Sequence, residues 1–214
     1  MQDPMLLDSL EALVAEHDRV GSALRDELRT GTGRDQVEEA VRTFGLVPPP
    51  DLIDFFAWHD LAARPGSIDR IDWFWPAGGL RLTEAIDDYR RSIAVGGASP
   101  AEVGDSLGPD QPPTATFTGF WRTDWFPVLG GSPETYAIEC PGGGGSTPGA
   151  LWRVNWHPDS DFQTARVASS LTEFIDRVVD LFRTGAYRWD AEYEAIVTVD
   201  DVFVRRGLGA TFRP

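Results

Sequence analysis

The sequence predicts a protein of mixed α and β structure, built on an antiparallel meander that a helix closes. Two short apolar segments, Trp125–Leu129 and Thr135–Cys140, flank a Gly-Gly-Ser-Pro stretch, and a third, Leu151–Trp156, follows a glycine-rich loop. Short apolar runs beside Gly and Pro are typical of strands joined by turns. Ser170 then begins the Ser-Leu-Thr-Glu pattern of a capping box, and an apolar stripe at helical spacing runs on from it.

The second apolar segment alternates residue by residue, which places its side chains on two opposite faces of a strand. One face carries Tyr136, Ile138 and Cys140, and the other carries Thr135, Ala137 and Glu139. Cys140 is the only cysteine and has no histidine beside it in sequence. We therefore expect a buried structural thiol at this position rather than a nucleophile.

Three helices are expected in roughly the first 60 residues. Asp3-Pro4 forms a helix start, and an apolar stripe continues to about Arg29, where a Thr-Gly-Thr-Gly run stops it. A second helix is predicted over Asp35–Phe44, with Gly45 as its C-terminal stop. Three consecutive prolines then force an extended segment before a short apolar helix, which we expect to pack in the core.

The middle of the chain mixes regular and irregular segments. Ile71–Trp75 is predicted to be a strand with two tryptophans, and Thr83 is expected to cap a helix that runs to about Ile93. Residues 96–114 are rich in Gly, Pro and Ser without periodicity, so we expect a loop. The Gly142–Ser146 stretch is predicted to be the tip of a long hairpin loop.

Length and composition limit the class of protein. The chain has 214 residues, of which 42% are hydrophobic, enough for a sizeable core. No apolar run approaches the roughly 20 residues that a membrane span needs. Asp3 stands where an export signal would carry positive charge, and a single cysteine suits a reducing compartment. These features predict a cytoplasmic protein.

The charge is strongly acidic. The formal net charge is -15, and all 19 basic residues are arginine. A nucleic-acid-binding surface needs a basic footprint, so this charge argues against direct binding of DNA or RNA. An acidic surface instead favours basic protein partners, although solubility alone also explains it. Without lysine, a Walker-type phosphate loop and Schiff-base chemistry are both excluded.

The sequence predicts no catalytic residue, no metal site and no cofactor. The three histidines are not spaced as metal ligands, and His59 is expected to make a contact at a helix end. His157-Pro158-Asp159 offers possible cation ligands, but a polar turn explains it equally well. Gly130–Glu134 lacks the glycine that a serine-hydrolase elbow needs two residues after its serine.

The candidate partner-binding residues are tryptophans with aspartates close by in sequence. They are Asp69, Asp72, Trp73, Trp75, Trp121 and Asp124. Protein interfaces use aromatic anchors surrounded by a charged rim, which is the reason for selecting this set. The alternative is that the tryptophans belong to the core.

Four segments in order resemble the SUKH superfamily, which includes fungal cell-wall assembly regulators and bacterial immunity proteins. They are Leu46–Asp60, Trp73–Ala85, Trp125–Cys140 and Leu151–Phe182, the last with the Ser-Ser-Leu-x-x-Phe-Ile run before its helix. Two motifs depart from the family. His59-Asp60 replaces an Asn-Gly, and Ser-Pro-Glu-Thr replaces the Gly-Asp before the second central strand.

The resemblance implies a domain organisation and a fold. Residues 35–184 would form the SUKH-like domain, with a helical extension at 1–34 and a C-terminal extension at 185–214 packed on the same domain. In that extension, the chain after Trp189 mixes strand-like and helix-like patterns. The implied fold is α+β, with a single mostly antiparallel sheet and helices packed at its side and ends.

The resemblance also implies a non-enzymatic function. The protein would bind and neutralise a cognate toxin domain, often a nuclease or a nucleic-acid deaminase, and such a partner would be basic. The alternatives are an intracellular scaffold or regulator of the same fold and, from a different class, a hydrolase with an unrecognised acid pair.

Overall fold

The computed structural model describes residues 5–22, 24–61, 78–98, 121–130, 134–141, 148–155, 164–190 and 195–198. Six helices lie within these residues: α1 (Leu6–Val20), α2 (Leu24–Glu27), α3 (Arg34–Arg42), α4 (Pro50–Trp58), α5 (Leu82–Gly96) and α6 (Leu171–Arg183). Eleven strands accompany them: β1 (Leu28–Thr30), β2 (His59–Leu61), β3 (Gly78–Gly79), β4 (Gly97–Ala98), β5 (Trp121–Arg122), β6 (Trp125–Gly130), β7 (Glu134–Glu139), β8 (Leu151–Asn155), β9 (Ala165–Ala168), β10 (Tyr187–Asp190) and β11 (Ala195–Thr198). The α+β class is confirmed.

A five-stranded antiparallel sheet forms the centre of the fold, in the order β3-β6-β7-β8-β9. Because β6, β7 and β8 follow one another in both sequence and sheet, the predicted meander is confirmed. Phe126 pairs with Ile138, which pairs in turn with Leu151 on the next strand. The register of β6 shifts between Pro127 and Leu129, next to a proline that has no N–H for the ladder.

Both faces of this sheet are buried. Tyr136, Ile138 and Cys140 belong to the main core cluster, together with the apolar faces of the helices, as the alternation predicted. Ala137 points the other way, into a second cluster that we call the tryptophan cluster: Trp121, Trp125, Ala137, Ala150, Trp152 and Val154. Every residue of β6 and β7 is buried, so the polar side chains on these strands are buried as well.

The N-terminal helix α1 packs against α6. The hydroxyl of Ser9 donates a hydrogen bond to Asp176 at 2.6 Å, and Arg19 donates one to the carbonyl of Phe182 at 2.9 Å. The ring of His17 lies 4.9 Å from the ring of Phe182, so this histidine is a buried core residue. The two helices together form one side of the main core.

The expectation of one helix continuing to Arg29 is wrong. α1 ends at Val20, and Gly21 adopts a left-handed φ of 84° while its N–H donates to the carbonyl of Asp18. The apolar spacing resumes in α2, and the chain then becomes the strand β1, which pairs with β2. The apolar spacing continues through this point, but Gly21 has no Cβ and adopts the left-handed conformation without steric strain, so the helix ends there.

The start of α5 also differs from the prediction. α5 includes Thr83, the residue expected to cap it, and continues past Ile93. The N–H of Arg81 donates to the carboxylate of Glu84 at 3.1 Å, so Arg81 holds the position before the helix. Directly after α5, β4 pairs in parallel with β5.

Two other helix boundaries lie close to the predicted positions. α3 ends at Arg42, two residues before the predicted Phe44, and Gly45 closes the turn that follows with a φ of 75°. Pro49 is extended, with a ψ of 156°, and Pro50 is the first residue of α4. A proline at this position loses nothing, because the first N–H groups of a helix have no partner within the helix.

The capping box at the start of α6 is confirmed, with one change. The Ser170 hydroxyl accepts a hydrogen bond from the N–H of Glu173 at 3.0 Å, and the Glu173 carboxylate reaches back to the N–H of Ser169 at 2.7 Å. Burial by itself would raise the pKa of Glu173, but hydrogen bonds from Ser169 and the charge of Arg177 hold it below its ordinary value. The helix therefore begins with a fixed carboxylate at its positive end.

Replacing Ser170 with alanine should lower the free energy of unfolding by about 1 kcal/mol, because an orphan N–H of the first turn loses its acceptor. Urea titration followed by circular dichroism would measure the change. Ser170→Asp supplies another acceptor and should restore most of the stability. If Ser170→Asp lowered the free energy of unfolding as much as Ser170→Ala does, the capping role would be contradicted.

The chain after α6 forms strands. β10 pairs with β11 in antiparallel register, so the described part of this ambiguous segment is strand. The main core cluster includes residues from Leu6 to Ile196, and both ends of the described chain thus contribute to one core with residues 35–184.

Several predictions concern residues outside the described ranges. They are the helix start at Asp3-Pro4, the strand at Ile71–Trp75, the greater part of the 96–114 loop, the Gly142–Ser146 loop tip and the end of the chain beyond residue 198.

Candidate functional site

An open pocket of about 550 Å³ lies between α3, α5 and the start of β6. Four segments contribute to it: the turn after α3, one side of α5, the turn before β6, and Pro141, two residues after the end of β7. Its lining residues are Phe44, Gly45, Leu46, Tyr89, Arg90, Ile93, Thr123, Asp124 and Pro141. We call it the Phe44 pocket. Most of these side chains are apolar, and the charged ones are one arginine and one aspartate.

Aromatic rings form the wall of the Phe44 pocket. The ring centroids of Phe44 and Tyr89 are 4.7 Å apart, and the Tyr89 ring stacks on buried Phe126 at 5.7 Å. The Tyr89 hydroxyl donates to the carbonyl of Thr123 at 2.8 Å. Burial, followed by the neighbouring Cys140 and Asp124, raises the pKa of Tyr89 to about 12. Tyr89 is therefore neutral at physiological pH. Its position is fixed by the hydrogen bond from its hydroxyl and by the ring contacts with Phe44 and Phe126.

An arginine already lies on this wall. The guanidinium of Arg90 stands over the Phe44 ring, 5.6 Å from its centroid, which is a cation–π distance. Arg90 also makes a long ion pair with Asp87, at 3.5 Å, in which both side chains are about two-thirds exposed. An exposed pair of this kind contributes little to stability, so Arg90 is held weakly.

Three buried charged residues lie beside the pocket, and we call them the Asp124 cluster: Arg122, Asp124 and Glu139. Arg122 donates two hydrogen bonds to Asp124, at 2.9 and 2.5 Å, and lies 3.5 Å from Glu139. Trp152 donates from its indole N–H to Glu139 at 2.9 Å. Each charged side chain in the cluster is at most 7% exposed. One positive and two negative formal charges leave the cluster with a formal charge of −1.

A second buried ion pair lies on the opposite face of the sheet. Arg153 is 3.4 Å from Glu134, and the Tyr136 hydroxyl donates to the same carboxylate at 3.0 Å. Burial, followed by the charge of Glu134, raises the pKa of Tyr136. This group belongs to the main core side and does not line the Phe44 pocket.

The structure separates the sequence-predicted site residues. Trp121 is fully buried in the tryptophan cluster, where it packs edge-on against Trp125 at 6.0 Å. Asp124 is nearly as buried but lines the Phe44 pocket. Asp69, Asp72, Trp73 and Trp75 lie outside the described residues. Of the two predicted residues that the structure describes, Trp121 and Asp124, it is Asp124 that lines a pocket.

The two remaining single-residue predictions concern Cys140 and His59. Cys140 is buried, as predicted, and burial followed by the charges of Asp124 and Glu139 raises the pKa of its thiol. The thiol is therefore protonated and a poor nucleophile at neutral pH. His59 follows the last residue of α4, where its ring contacts Trp58 and its Nδ1 lies 2.9 Å from the carbonyl oxygen of Arg29. The expected contact at the helix end is present.

Sequence reasoning missed most of the pocket. Phe44, in the turn after α3, and Tyr89, in α5, are more than forty positions apart, and no local pattern joins them. The alternation placed Glu139 on the face of Thr135 and Ala137 and gave no indication that its carboxylate is buried. The one signal for the Asp124 cluster was the Trp-Arg-Thr-Asp-Trp run, since two charges between tryptophans indicate a charge close to apolar surface.

Comparison with protein-family models and with curated proteins finds no match for this chain. Over the described ranges, no group of three or more His, Cys, Asp and Glu side chains is placed to hold a metal ion. In the same ranges, no helix combines the length and apolarity that crossing a bilayer requires.

Proposed function

We propose that this protein is a non-enzymatic binding module of the SUKH type that binds and neutralises a basic toxin domain, a nuclease or a nucleic-acid deaminase, in the cytoplasm. The observation that carries the proposal is the Phe44 pocket, an open aromatic-walled depression beside a buried cluster of formal charge −1. Pockets that receive an anchor side chain at the centre of a protein interface have this character.

The overall charge supports a basic partner. A domain that acts on nucleic acid carries a positive surface that matches phosphate. A protein with a formal charge of -15 attracts such a surface over long range and speeds association, most strongly at low salt. Carboxylates then occupy the positions that phosphates would take, and the substrate is excluded.

The protonation of groups near the pocket supports a binding role over a catalytic one. General acid–base groups work with pKa values near the operating pH, and nucleophilic cysteines work as thiolates. Burial raises the pKa of the Tyr89 hydroxyl and of the Cys140 thiol, away from neutral pH, and the pKa of Tyr89 reaches about 12. Both groups are neutral at pH 7, which is unfavourable for a cysteine nucleophile or a tyrosine base at this pocket.

The proposal is tested by a pull-down from extract of the native cell at about 0.05 M and about 0.5 M NaCl, with mass spectrometry of the retained proteins. The neighbouring gene's product is supplied as a recombinant protein in a parallel arm. We expect one basic partner, retained at low salt and weakened at high salt, whose activity on nucleic acid falls when this protein is added.

Two outcomes would overturn the proposal. Several weak partners of mixed charge would favour the scaffold alternative, since a constitutive scaffold has no single cognate toxin. Binding of a single partner without any loss of that partner's activity would retain a binding module and reject neutralisation.

A further inference from the structure

We propose that the Phe44 pocket is a receptor for an arginine side chain, and that the partner's arginine takes the place on the Phe44 ring that Arg90 now occupies. The inference deepens the proposed function and rests on it for the identity of the partner. The partner contributes the arginine side chain, and the Phe44 pocket is the surface that receives it.

The charge beside the pocket favours a cation. Asp124 lines the pocket and belongs to a buried cluster whose formal charge is −1. A charge in such surroundings acts over a longer distance than a solvated one, because little water screens it. The raised pKa values of Tyr89 and Cys140 are consistent with this, since Asp124 adds to the effect of burial at both groups.

The aromatic wall favours a planar cation. A guanidinium is planar and weakly hydrated, so it stacks on a ring at a low cost of desolvation, whereas an ammonium is compact and strongly hydrated. Arg90 stands 5.6 Å above the Phe44 ring, which shows that a guanidinium fits on this face. An anionic group would find the donors of Arg90, but it would meet the charge of Asp124 on otherwise mostly apolar walls.

Arg90 can leave at little cost. Its side chain is 65% exposed, and its ion pair with Asp87 is long and solvated. An incoming arginine therefore exchanges one cation for another on the same ring and adds burial. Because Arg90 competes for that position, removing it should strengthen binding of an arginine ligand.

The neighbouring helix position provides a matched control. Arg91 is 71% exposed, pairs with Asp88 at the same i,i+3 spacing but at 2.9 Å, and does not line the pocket. Arg90→Ala and Arg91→Ala change the net charge by the same amount, and Arg90→Ala alone removes the resident cation of the pocket. Any general electrostatic effect on a cationic ligand appears equally in both variants.

The test is a titration with the capped tripeptide Gly-Arg-Gly, followed by ¹⁵N–¹H NMR of the full chain. The same peptide with citrulline, the neutral isostere of arginine, is the ligand control. We expect the arginine peptide to shift the amide signals of Thr123 and Asp124, and the citrulline peptide to bind at least several-fold more weakly. Arg90→Ala should tighten arginine binding by about two- to five-fold, the equivalent of one exposed cation–π contact, and Arg91→Ala should not.

Phe44→Leu provides the opposite variant. It keeps an apolar side chain but removes the ring, so arginine binding should weaken by about two- to five-fold while the NMR spectrum stays that of a folded protein. Equal binding of both peptides, or equal effects of Arg90→Ala and Arg91→Ala, would overturn the inference. So would the absence of any shift at the pocket.

The peptide titration and the pull-down fail independently. Capture of a basic partner without peptide binding at the pocket would reject the arginine receptor and leave the proposed function in place. Peptide binding without a protein partner would reject toxin neutralisation and leave the pocket chemistry in place.

Discussion

Replacing Arg122 with methionine is expected to lower the free energy of unfolding by about 3–5 kcal/mol. The substitution removes the cation that pairs with Asp124 and approaches Glu139, while both carboxylates stay buried. A carboxylate that is buried without a compensating positive charge has lost its hydration and keeps an uncompensated charge. The change would be measured by urea denaturation at pH 7, followed by tryptophan fluorescence.

Two further variants separate this explanation from a general loss of packing. Adding Asp124→Asn and Glu139→Gln to Arg122→Met removes the orphaned charges and should recover most of the lost stability. Arg91→Met removes an arginine that is 71% exposed and pairs with Asp88 within α5, and it should change stability by no more than about 0.5 kcal/mol. A loss below about 1 kcal/mol for Arg122→Met would show that the cluster is solvated in solution.

Replacing Phe126 with alanine is expected to cost a similar amount, about 3–5 kcal/mol, for a different reason. Phe126 is fully buried on β6 and stacks on Tyr89 at 5.7 Å. Its ring also lies 6.2 Å from Phe56 and 6.4 Å from Phe44, so it joins the sheet to α4, α5 and the turn after α3. Deleting the ring leaves a cavity at the point where these helices meet the sheet.

The size of the replacement provides the control for Phe126. Phe126→Leu keeps much of the volume and should cost roughly half as much as Phe126→Ala. Because Phe126 supports the ring of Tyr89, Phe126→Ala should also loosen the wall of the Phe44 pocket. An alanine variant that loses less than about 2 kcal/mol would mean that the neighbouring rings collapse into the space.

The parts of the fold that the sequence predicted correctly are those specified by local patterns. The alternation over Thr135–Cys140 assigned each side chain of β7 to its face, and the Ser170 capping box located the start of α6. Both signals depend on neighbours within a few residues. The end of α1 was missed because its apolar spacing continued through Gly21, where the backbone turned instead.

The candidate site could not be predicted in the same way. Period-two alternation states which side chains share a face, but it does not state whether water or protein lies against that face. Glu139 was therefore assigned correctly to the face of Ala137, yet its burial against Arg122 depends on packing between distant segments. Asp124 was selected for its tryptophan neighbours. It lines the Phe44 pocket because segments remote in sequence, around Phe44 and Tyr89, form the other walls.

The contact between α1 and α6 has a consequence for how this chain folds during synthesis. The hydrogen bond from Ser9 to Asp176 joins residues 167 positions apart, so one side of the main core stays incomplete until α6 has been made. Contacts this distant in sequence slow folding, and they leave the early apolar surface exposed meanwhile. On the ribosome, α1 can contact α2 and α4 early, but the side of α1 that packs on α6 stays open until Leu171–Arg183 has been made. A chaperone that holds nascent apolar helices would therefore protect this surface of α1 until α6 emerges.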